Sequence, residues 1–218
     1  MDNKIIPIIL GCNENTNDVI IIYNLFYNIY KSSSNWIEPH IYTNNMVTIN
    51  NLILIMKNYK DFIKPIFLIY FTGHSTQSGK LKFHNEDITA IILLKQININ
   101  INNPYHIYFI IDSCFSKKFI INYIPYKISY ITFIVSSMED ETSRTIAMDY
   151  DNEVFDKITI NKSKYFIISI FTYYFVKLIR IRKYNIDDFD KISSDKLWKM
   201  IAKKYKQNIY YEHFSQTL

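Results

Sequence analysis

The sequence has little glycine, little cysteine and no long hydrophobic run. Its 218 residues include three glycines, five prolines and two cysteines. Two cysteines cannot build the disulfide framework of a small secreted protein, so we expect free thiols in a reducing, intracellular compartment. No apolar run approaches the ~20 residues that span a bilayer, and the N-terminal run is too short for a secretory signal. No proline- or glycine-rich linker divides the chain, which predicts a single domain over residues 1–218.

Hydrophobic residues make up 49% of the chain, which is ample for a packed core and excludes a disordered protein. The net charge is +5, and acidic residues follow directly on the densest basic segment, residues 177–184. This arrangement is typical of a solvated helix end, so we expect neither nucleic acid nor a membrane as a partner. A basic binding module is a weaker alternative, which salt-sensitive retention on heparin would support. The abundance of isoleucine, asparagine, lysine and tyrosine is typical of an AT-rich genome, such as that of a parasite or a large DNA virus.

Short apolar runs alternate with longer stretches of helical periodicity. We predict strands at 4–10, 38–43, 65–72, 80–83, 106–114 and 128–137, and an edge strand in the C-terminal tail. We predict helices at 19–31, 49–62, 86–97, 165–182 and near 194–206, and a polar loop at 138–164. Thr48 is the expected N-cap of the second helix. The alternation predicts an α/β domain with a largely parallel sheet.

Two of the most apolar predicted strands end in chemically useful residues. One ends in Thr-Gly-His at 72–74, and the other ends in Asp-Ser-Cys at 112–114. The carboxyl ends of parallel strands meet at one edge of a sheet, which would bring His74 and Cys114 together for nucleophilic catalysis. Gly73 would allow a sharp turn that presents His74. A lone cysteine at a strand end is usually a core residue, so the joint pattern, rather than either motif, indicates a catalytic dyad.

These motifs, YFTGHS and FIIDSCFS, resemble the histidine and cysteine boxes of the caspase-like clan of cysteine peptidases, most closely those of metacaspases. The resemblance implies a three-layer α/β/α sandwich with a mostly parallel central sheet. It also implies that Cys114 is the nucleophile, that His74 is the general acid/base, and that the backbone N–H groups of Ser75 and Cys114 bind the oxyanion. The substrate would then be a peptide or protein.

The same resemblance implies a pocket for arginine or lysine before the cleaved bond. Asp112 matches the family's pocket aspartate, Thr72 matches its small hydroxyl residue, and Asp18 matches a second acidic residue. A carboxylate is suited to this role, because a desolvated guanidinium or ammonium needs a charge-assisted partner.

The sequence departs from the metacaspase pattern at several positions. Ser75 stands where the family has glycine, Phe115 replaces the histidine that follows the cysteine, and Asn15 replaces a cysteine. Metacaspases often bind calcium through several aspartates, whereas this chain keeps at most Glu86 and Asp87 in the comparable region. Since a hard cation needs a cluster of oxygen ligands, we expect no calcium requirement and no other cofactor. The two carboxylates are equally explained as first-turn residues of the predicted helix at 86–97.

The resemblance to peptidases also raises the questions of self-cleavage and of assembly. Arg144, Lys117 and Lys118 are candidate self-cleavage sites, although a segment such as 138–164 is usually an ordinary exposed loop. The resemblance favours a monomer over a dimer, in the cytoplasm or, for a viral protein, in that of the host cell.

The chain also resembles legumain-type peptidases and the catalytic subunit of the GPI transamidase, which would direct the enzyme to asparagine. The competing class is an inactive or weakly active caspase-fold decoy or adaptor.

Overall fold

The computed structural model describes residues 3–12, 16–101, 106–121, 130–149, 165–183 and 186–215. Ten strands occur in these ranges: β1 Ile5–Gly11, β2 His40–Thr43, β3 Ile66–Thr72, β4 Leu81–Phe83, β5 Glu86–Ile88, β6 His106–Asp112, β7 Tyr130–Val135, β8 Thr145–Asp149, β9 Tyr165–Ser169 and β10 Tyr210–Ser215. The α-helices are α1 Thr16–Ser32, α2 Ile49–Asn58, α3 Ala90–Asn100, α4 Ser116–Ile121, α5 Ile170–Arg182, α6 Asp190–Ser194 and α7 Lys196–Tyr205. None of these helices combines the length and the apolar character that a membrane crossing requires.

Six strands form the central sheet, in the order β10-β7-β6-β3-β1-β2. All neighbours in this sheet pair in parallel except β10, which runs antiparallel to β7 at the edge. Helices α2, α3 and α4 pack on one face, and helices α1, α5, α6 and α7 pack on the other. The prediction of a three-layer α/β/α sandwich with a mostly parallel sheet is therefore confirmed.

The central strands owe their position to continuous apolar sequence. In β3 every residue after the first is buried, and successive side chains enter opposite cores: Phe67 packs in the core under α2 and α3, and Leu68 packs in the core under α1 and α5. Strand β6 has the same burial pattern. A strand that is buried on both faces has no polar face to expose, which is why the sequence shows an uninterrupted apolar run.

In three predicted segments the structure has a different type of element. Residues 86–88 form strand β5 instead of a first helical turn, because they pair with β4 in a hairpin and the helix starts after its N-cap, Thr89. Residues 165–169 form β9 instead of helix, because they pair with β8 and Ser169 caps α5. The predicted loop at 138–164 contains β8, and its residues 150–164 lie outside the described ranges. The Thr48 cap is confirmed, since its side chain accepts a hydrogen bond from the N–H of Asn51 at 3.1 Å.

A histidine pair at the amino end of the sheet predicts an acid-sensitive stability. The Thr132 hydroxyl lies 3.1 Å from Nε2 of His106 and 2.8 Å from Nδ1 of His213. Burial, reinforced by the charge of His213, lowers the pKa of His106 to about 4. The unfolded chain therefore binds more protons between pH 6.5 and 4, and the fold loses on the order of 2 kcal/mol of stability as the pH falls through that window.

This pH dependence is checked by urea unfolding of the wild type and the His106→Gln variant at pH 7 and pH 4.5. We expect the variant to lose less stability between the two pH values than the wild type. The matched control is His84→Gln, because His84 is exposed. An equal loss in all three proteins would contradict the assignment to His106.

Candidate functional site

The register of β3 and β6 brings the two predicted catalytic residues to one edge of the sheet. Thr72 and Asp112 are paired across the parallel strands, and His74 and Cys114 each follow two residues later. The His74 side chain is exposed and the Cys114 side chain is partly exposed. The two loops touch directly, because the Ser75 hydroxyl donates a hydrogen bond to the Cys114 carbonyl. The fold thus gathers His74, Ser75 and Cys114 at the edge where α/β proteins bind their ligands.

The second cysteine of the chain is unsuited to nucleophilic chemistry. Cys12 follows β1 at the same edge, but its side chain is 8% exposed and its thiol donates to the carbonyl of Lys82 at 3.1 Å. Burial raises the pKa of the Cys12 thiol to about 11, which keeps it protonated at neutral pH. Cys114 is partly exposed, so it is the better candidate nucleophile of the two thiols.

The backbone around Cys114 has an uncommon conformation that hydrogen bonds from a neighbouring segment hold in place. Phe115 has a φ of 52°, in the left-handed region that non-glycine residues seldom occupy. Such a conformation costs ~1 kcal/mol or more and persists only where the surroundings fix it. Here the N–H of Phe115 donates to the carbonyl of Glu141 at 2.8 Å, and the N–H of Ser116 donates to the Ser137 hydroxyl at 2.9 Å. A fixed, strained turn directly after a cysteine is a feature that functional sites share.

The two N–H groups predicted to bind an oxyanion are available. Within the described ranges, neither the N–H of Ser75 nor that of Cys114 has a hydrogen-bond acceptor, whereas the N–H groups of Ser113, Phe115 and Ser116 all have one. Ser75 does not have a positive φ, so its turn tolerates a side chain where the resembling family has glycine. Free N–H donors at this edge are what an oxyanion site needs.

Gly73 and Gly79 are required by close packing around this site. The chain bends at Gly73, as predicted, although this residue does not occupy the left-handed region. A Cβ at position 73 would lie 3.0 Å from the Cβ of Cys12 and from a ring carbon of Phe71. At Gly79, φ is +80° and a Cβ would lie 2.4 Å from the Cβ of Lys118 in α4. The loop that carries His74 therefore packs directly on the helix that follows Cys114.

Asp18, Thr72 and Asp112 lie together behind the strand ends, as predicted. Thr72 donates a long hydrogen bond of 3.5 Å to Asp18, which also accepts the N–H of Ser169 at 2.9 Å. Asp18 and Asp112 are each only 3% exposed, and no cation is paired with them among the described residues. Burial, followed by the negative charge of Asp112, raises the pKa of Asp18 to about 8, and burial raises the pKa of Asp112. Two buried carboxyls without a cation are electrostatically unfavourable, and a bound cation would relieve this.

Three residues that were not predicted complete this acidic pocket. The Thr172 and Ser143 hydroxyls donate to Asp112 at 2.7 and 2.9 Å, and the Tyr70 hydroxyl donates to it at 3.4 Å. Tyr70 could have been found, because it precedes Thr72 by two residues and so shares its face of the strand. Thr172 and Ser143 reach the pocket through tertiary folding and carry no sequence signal.

The three candidate self-cleavage residues differ in their surroundings, and their role stays a prediction. Arg144 is exposed, but its N–H donates to the side chain of Gln207 at 3.0 Å and its carbonyl accepts the N–H of Ile170 at 2.8 Å. Lys117 and Lys118 lie inside α4, where the backbone is helical and not extended. Cleavage at any of the three sites therefore requires local rearrangement.

Glu86 and Asp87 lie on β5 and not in the first turn of a helix. The Glu86 carboxylate accepts the N–H of Ile49, the first residue of α2, at 3.3 Å, so it acts at the amino end of a different helix from the predicted one. Across the described ranges, no three His, Cys, Asp or Glu side chains are grouped in a way that could hold a metal ion.

Comparisons with known proteins give a fold but no family. The sequence matches no protein-family model and no curated protein. The crystal structure of protein GSU0716 from Geobacter sulfurreducens has a TM-score of 0.56 and 10% identity, over 99% of this chain and 95% of that one. Raptor from Chaetomium thermophilum has a TM-score of 0.39 and 12% identity, over 65% of this chain and 16% of that one. The first likeness shows a shared α/β fold alone, and the second is too low to show that.

Proposed function

We propose that this protein is a cysteine endopeptidase of the caspase-like clan that cleaves after arginine or lysine. The observation that carries the proposal is the register of β3 and β6, which pairs Thr72 with Asp112 and brings the loops of His74 and Cys114 into contact. A partly exposed thiol whose loop contacts the loop of a histidine, on a turn held by hydrogen bonds, supports nucleophilic catalysis by cysteine.

In the proposed reaction, the Cys114 sulfur attacks the scissile carbonyl carbon, and His74 receives the thiol proton. The carbonyl oxygen becomes an oxyanion, which the N–H groups of Ser75 and Cys114 bind. The tetrahedral intermediate collapses to a thioester while His74 gives its proton to the departing amine. Water, deprotonated by His74, then attacks the thioester and releases the acid and the free thiol. Side chains and water suffice for every step, so the proposal includes no cofactor and no calcium requirement.

The acidic pocket supports a preference for basic residues. A guanidinium or ammonium that enters it would meet two carboxyls and the hydroxyls of Tyr70, Ser143 and Thr172. Because both carboxyls are 3% exposed, the basic side chain must displace one of the residues that shield them from solvent. Ser143 is the partly exposed one of these residues. The proposed substrates are peptides or proteins with an arginine or lysine before the cleaved bond.

The proposal also includes a cellular compartment, an oligomeric state and a biological role. The two free thiols support a reducing compartment, and we propose the cytoplasm, that of the host cell if the protein is viral. The proposed enzyme acts as a monomer. A role in cell death or in host interaction follows from the resemblance to metacaspases and forms the broadest part of the proposal.

A second candidate is a catalytically weak or inactive adaptor of the same fold. The closed acidic pocket favours it, since Asp18 and Asp112 are covered by hydroxyl groups instead of facing an open cleft. An adaptor would bind a partner protein without cleaving it.

The test is release of a fluorophore from peptides that end in Arg, Lys, Asp or Asn, with calcium and with a chelator. We expect calcium-independent release after Arg and Lys at a rate that Cys114→Ala lowers by at least about a thousandfold. Cys12→Ala is the matched control, because Cys12 is buried. Release after Asn would favour a legumain-like enzyme. No release from any peptide would overturn the proposed function and favour the adaptor.

A further inference from the structure

Ser75 uses its side chain in a way that the glycine of the resembling family could not. Its hydroxyl donates to the backbone carbonyl of Cys114, across from one loop to the other. The backbone on both sides of Ser75 is also fixed: the carbonyl of His74 accepts the N–H of Lys82 at 3.0 Å, and Thr76 donates to the carbonyl of Lys80 at 2.9 Å. The hydroxyl therefore extends from a rigid support to the residue proposed as the nucleophile.

The peptide groups next to Cys114 are held from several sides. The carbonyl of Ser113 accepts the hydroxyls of Ser136 and Ser137, at 3.1 and 2.9 Å. Beyond Cys114, the N–H of Phe115 is held by the Glu141 carbonyl. All of these partners come from the end of β7 and the segment that follows it. Ser75 is the partner that comes from the loop of the proposed general base.

We propose that Ser75 is a positioning residue, whose hydroxyl fixes the loop of His74 against the loop of Cys114 by holding the Cys114 carbonyl. This inference rests on the proposed function and adds to it a role for a side chain. Proton transfer requires the sulfur and the imidazole to stay within hydrogen-bond reach. A misplacement of ~1 Å between reacting groups costs about a hundredfold in rate. Loss of the Ser75 contact would leave these loops joined by the packing of Gly79 on α4 and by the hydrogen bond from Lys118 to the carbonyl of Gln77.

The test compares Ser75→Thr with Ser75→Val, which have nearly the same volume and differ in the hydroxyl. For an arginine peptide we expect Ser75→Thr to keep kcat within about threefold of the wild type, and Ser75→Val to lower it by tenfold or more with KM changed by less than about threefold. The matched control is Ser78→Ala, in the same loop, whose hydroxyl contacts only that of Thr76 among the described residues. Equal melting temperatures would show that each variant is folded.

A second readout separates positioning from general stability. The rate of Cys114 alkylation by iodoacetamide is measured, with the Cys12 peptide resolved by mass spectrometry. We expect a slower rate in Ser75→Val, because the imidazole that would accept the thiol proton is displaced, and an unchanged rate in Ser75→Thr and Ser78→Ala.

The results distinguish a wrong positioning role for Ser75 from a wrong proposed function. If the wild type cleaves the arginine peptide and Ser75→Val matches it in kcat and in alkylation, the positioning role is wrong and the proposed function stands. If the wild type cleaves no peptide and the alkylation rate is the same in every variant, both are wrong. If Ser75→Val unfolds, Ser75→Ala replaces it in the same comparison.

Discussion

Replacing Asp112 with asparagine is expected to abolish cleavage after arginine and, at the same time, to stabilise the protein at alkaline pH. The variant keeps the shape of the side chain and an acceptor for the Thr172 hydroxyl, but it removes the charge that would pair with a guanidinium. Truncating one member of a buried charge pair costs 2–5 kcal/mol, so we expect kcat/KM for arginine peptides to fall by about a hundredfold or more. Cleavage after a neutral residue should change much less.

The stability gain follows from the raised pKa values of the acidic pair. Burial, followed by the negative charge of Asp112, raises the pKa of Asp18 to about 8, and burial raises the pKa of Asp112. Between pH 4 and 8 the folded protein therefore holds more protons than the unfolded chain, and the wild type loses stability as the pH rises through that window. Asp112→Asn removes the repulsion, so its melting temperature should exceed that of the wild type at pH 8 and match it near pH 4.

The control for both effects is Asp61→Asn, because Asp61 is exposed and distant in sequence from the pocket. Kinetics with arginine and alanine peptides and thermal unfolding at pH 4, 6 and 8 give the measurements. If Asp112→Asn cleaved arginine peptides as well as the wild type, Asp112 would not select the substrate. If its stability followed the pH profile of the wild type, the pair would not be the source of that profile.

Replacing Gly79 with alanine is expected to destabilise the fold strongly, because the added methyl group would meet the backbone of α4. The added Cβ would lie 2.4 Å from the Cβ of Lys118 and 2.6 Å from its backbone carbonyl carbon, and the φ of +80° disfavours a side chain. Left-handed strain and a clash with backbone together should lower the free energy of unfolding by about 3 kcal/mol or more. Movement of the loop away from α4 should also eliminate cleavage of arginine peptides.

Ser78→Ala tests whether this effect belongs to the glycine, because it changes the preceding residue. Gly73→Ala should have a smaller effect, since its Cβ would meet the Cβ of Cys12 and a ring atom of Phe71 at 3.0 Å. Urea unfolding gives the free energies. A Gly79→Ala protein with the stability and activity of the wild type would contradict the close packing of the two loops.

The central sheet could be predicted because its four inner strands, β1, β3, β6 and β7, are apolar on both faces. The predicted and observed ends of β3 and β6 agree within two residues, since Thr-Gly-His and Asp-Ser-Cys interrupt the apolar runs. The same criterion failed at residues 165–169. There an apolar strand leads into an apolar helix, and only the Ser169 cap and pairing with β8 separate them.

The residues of the candidate site could likewise be predicted only in part. Parallel strands end at a common edge, which predicted that His74 and Cys114 would lie at the same place, whereas the resemblance to metacaspases implied that Asp18, Thr72 and Asp112 share a pocket. Thr172 contacts Asp112 from a helix 60 residues further along the chain. No local pattern marks such a residue, and its contribution depends on how α5 packs on the sheet.

The placement of glycine has a consequence for how the chain tolerates change. All three glycines lie at the carboxyl edge of the sheet, where an added Cβ would touch neighbouring atoms. Lys183, directly after α5, fills a left-handed position away from that edge, and glycine would occupy this helix end with less strain. Phe115 fills a left-handed position beside Cys114. The chain thus places its glycines where a side chain would not fit, and it tolerates left-handed strain at other residues both at a helix end and at the candidate site.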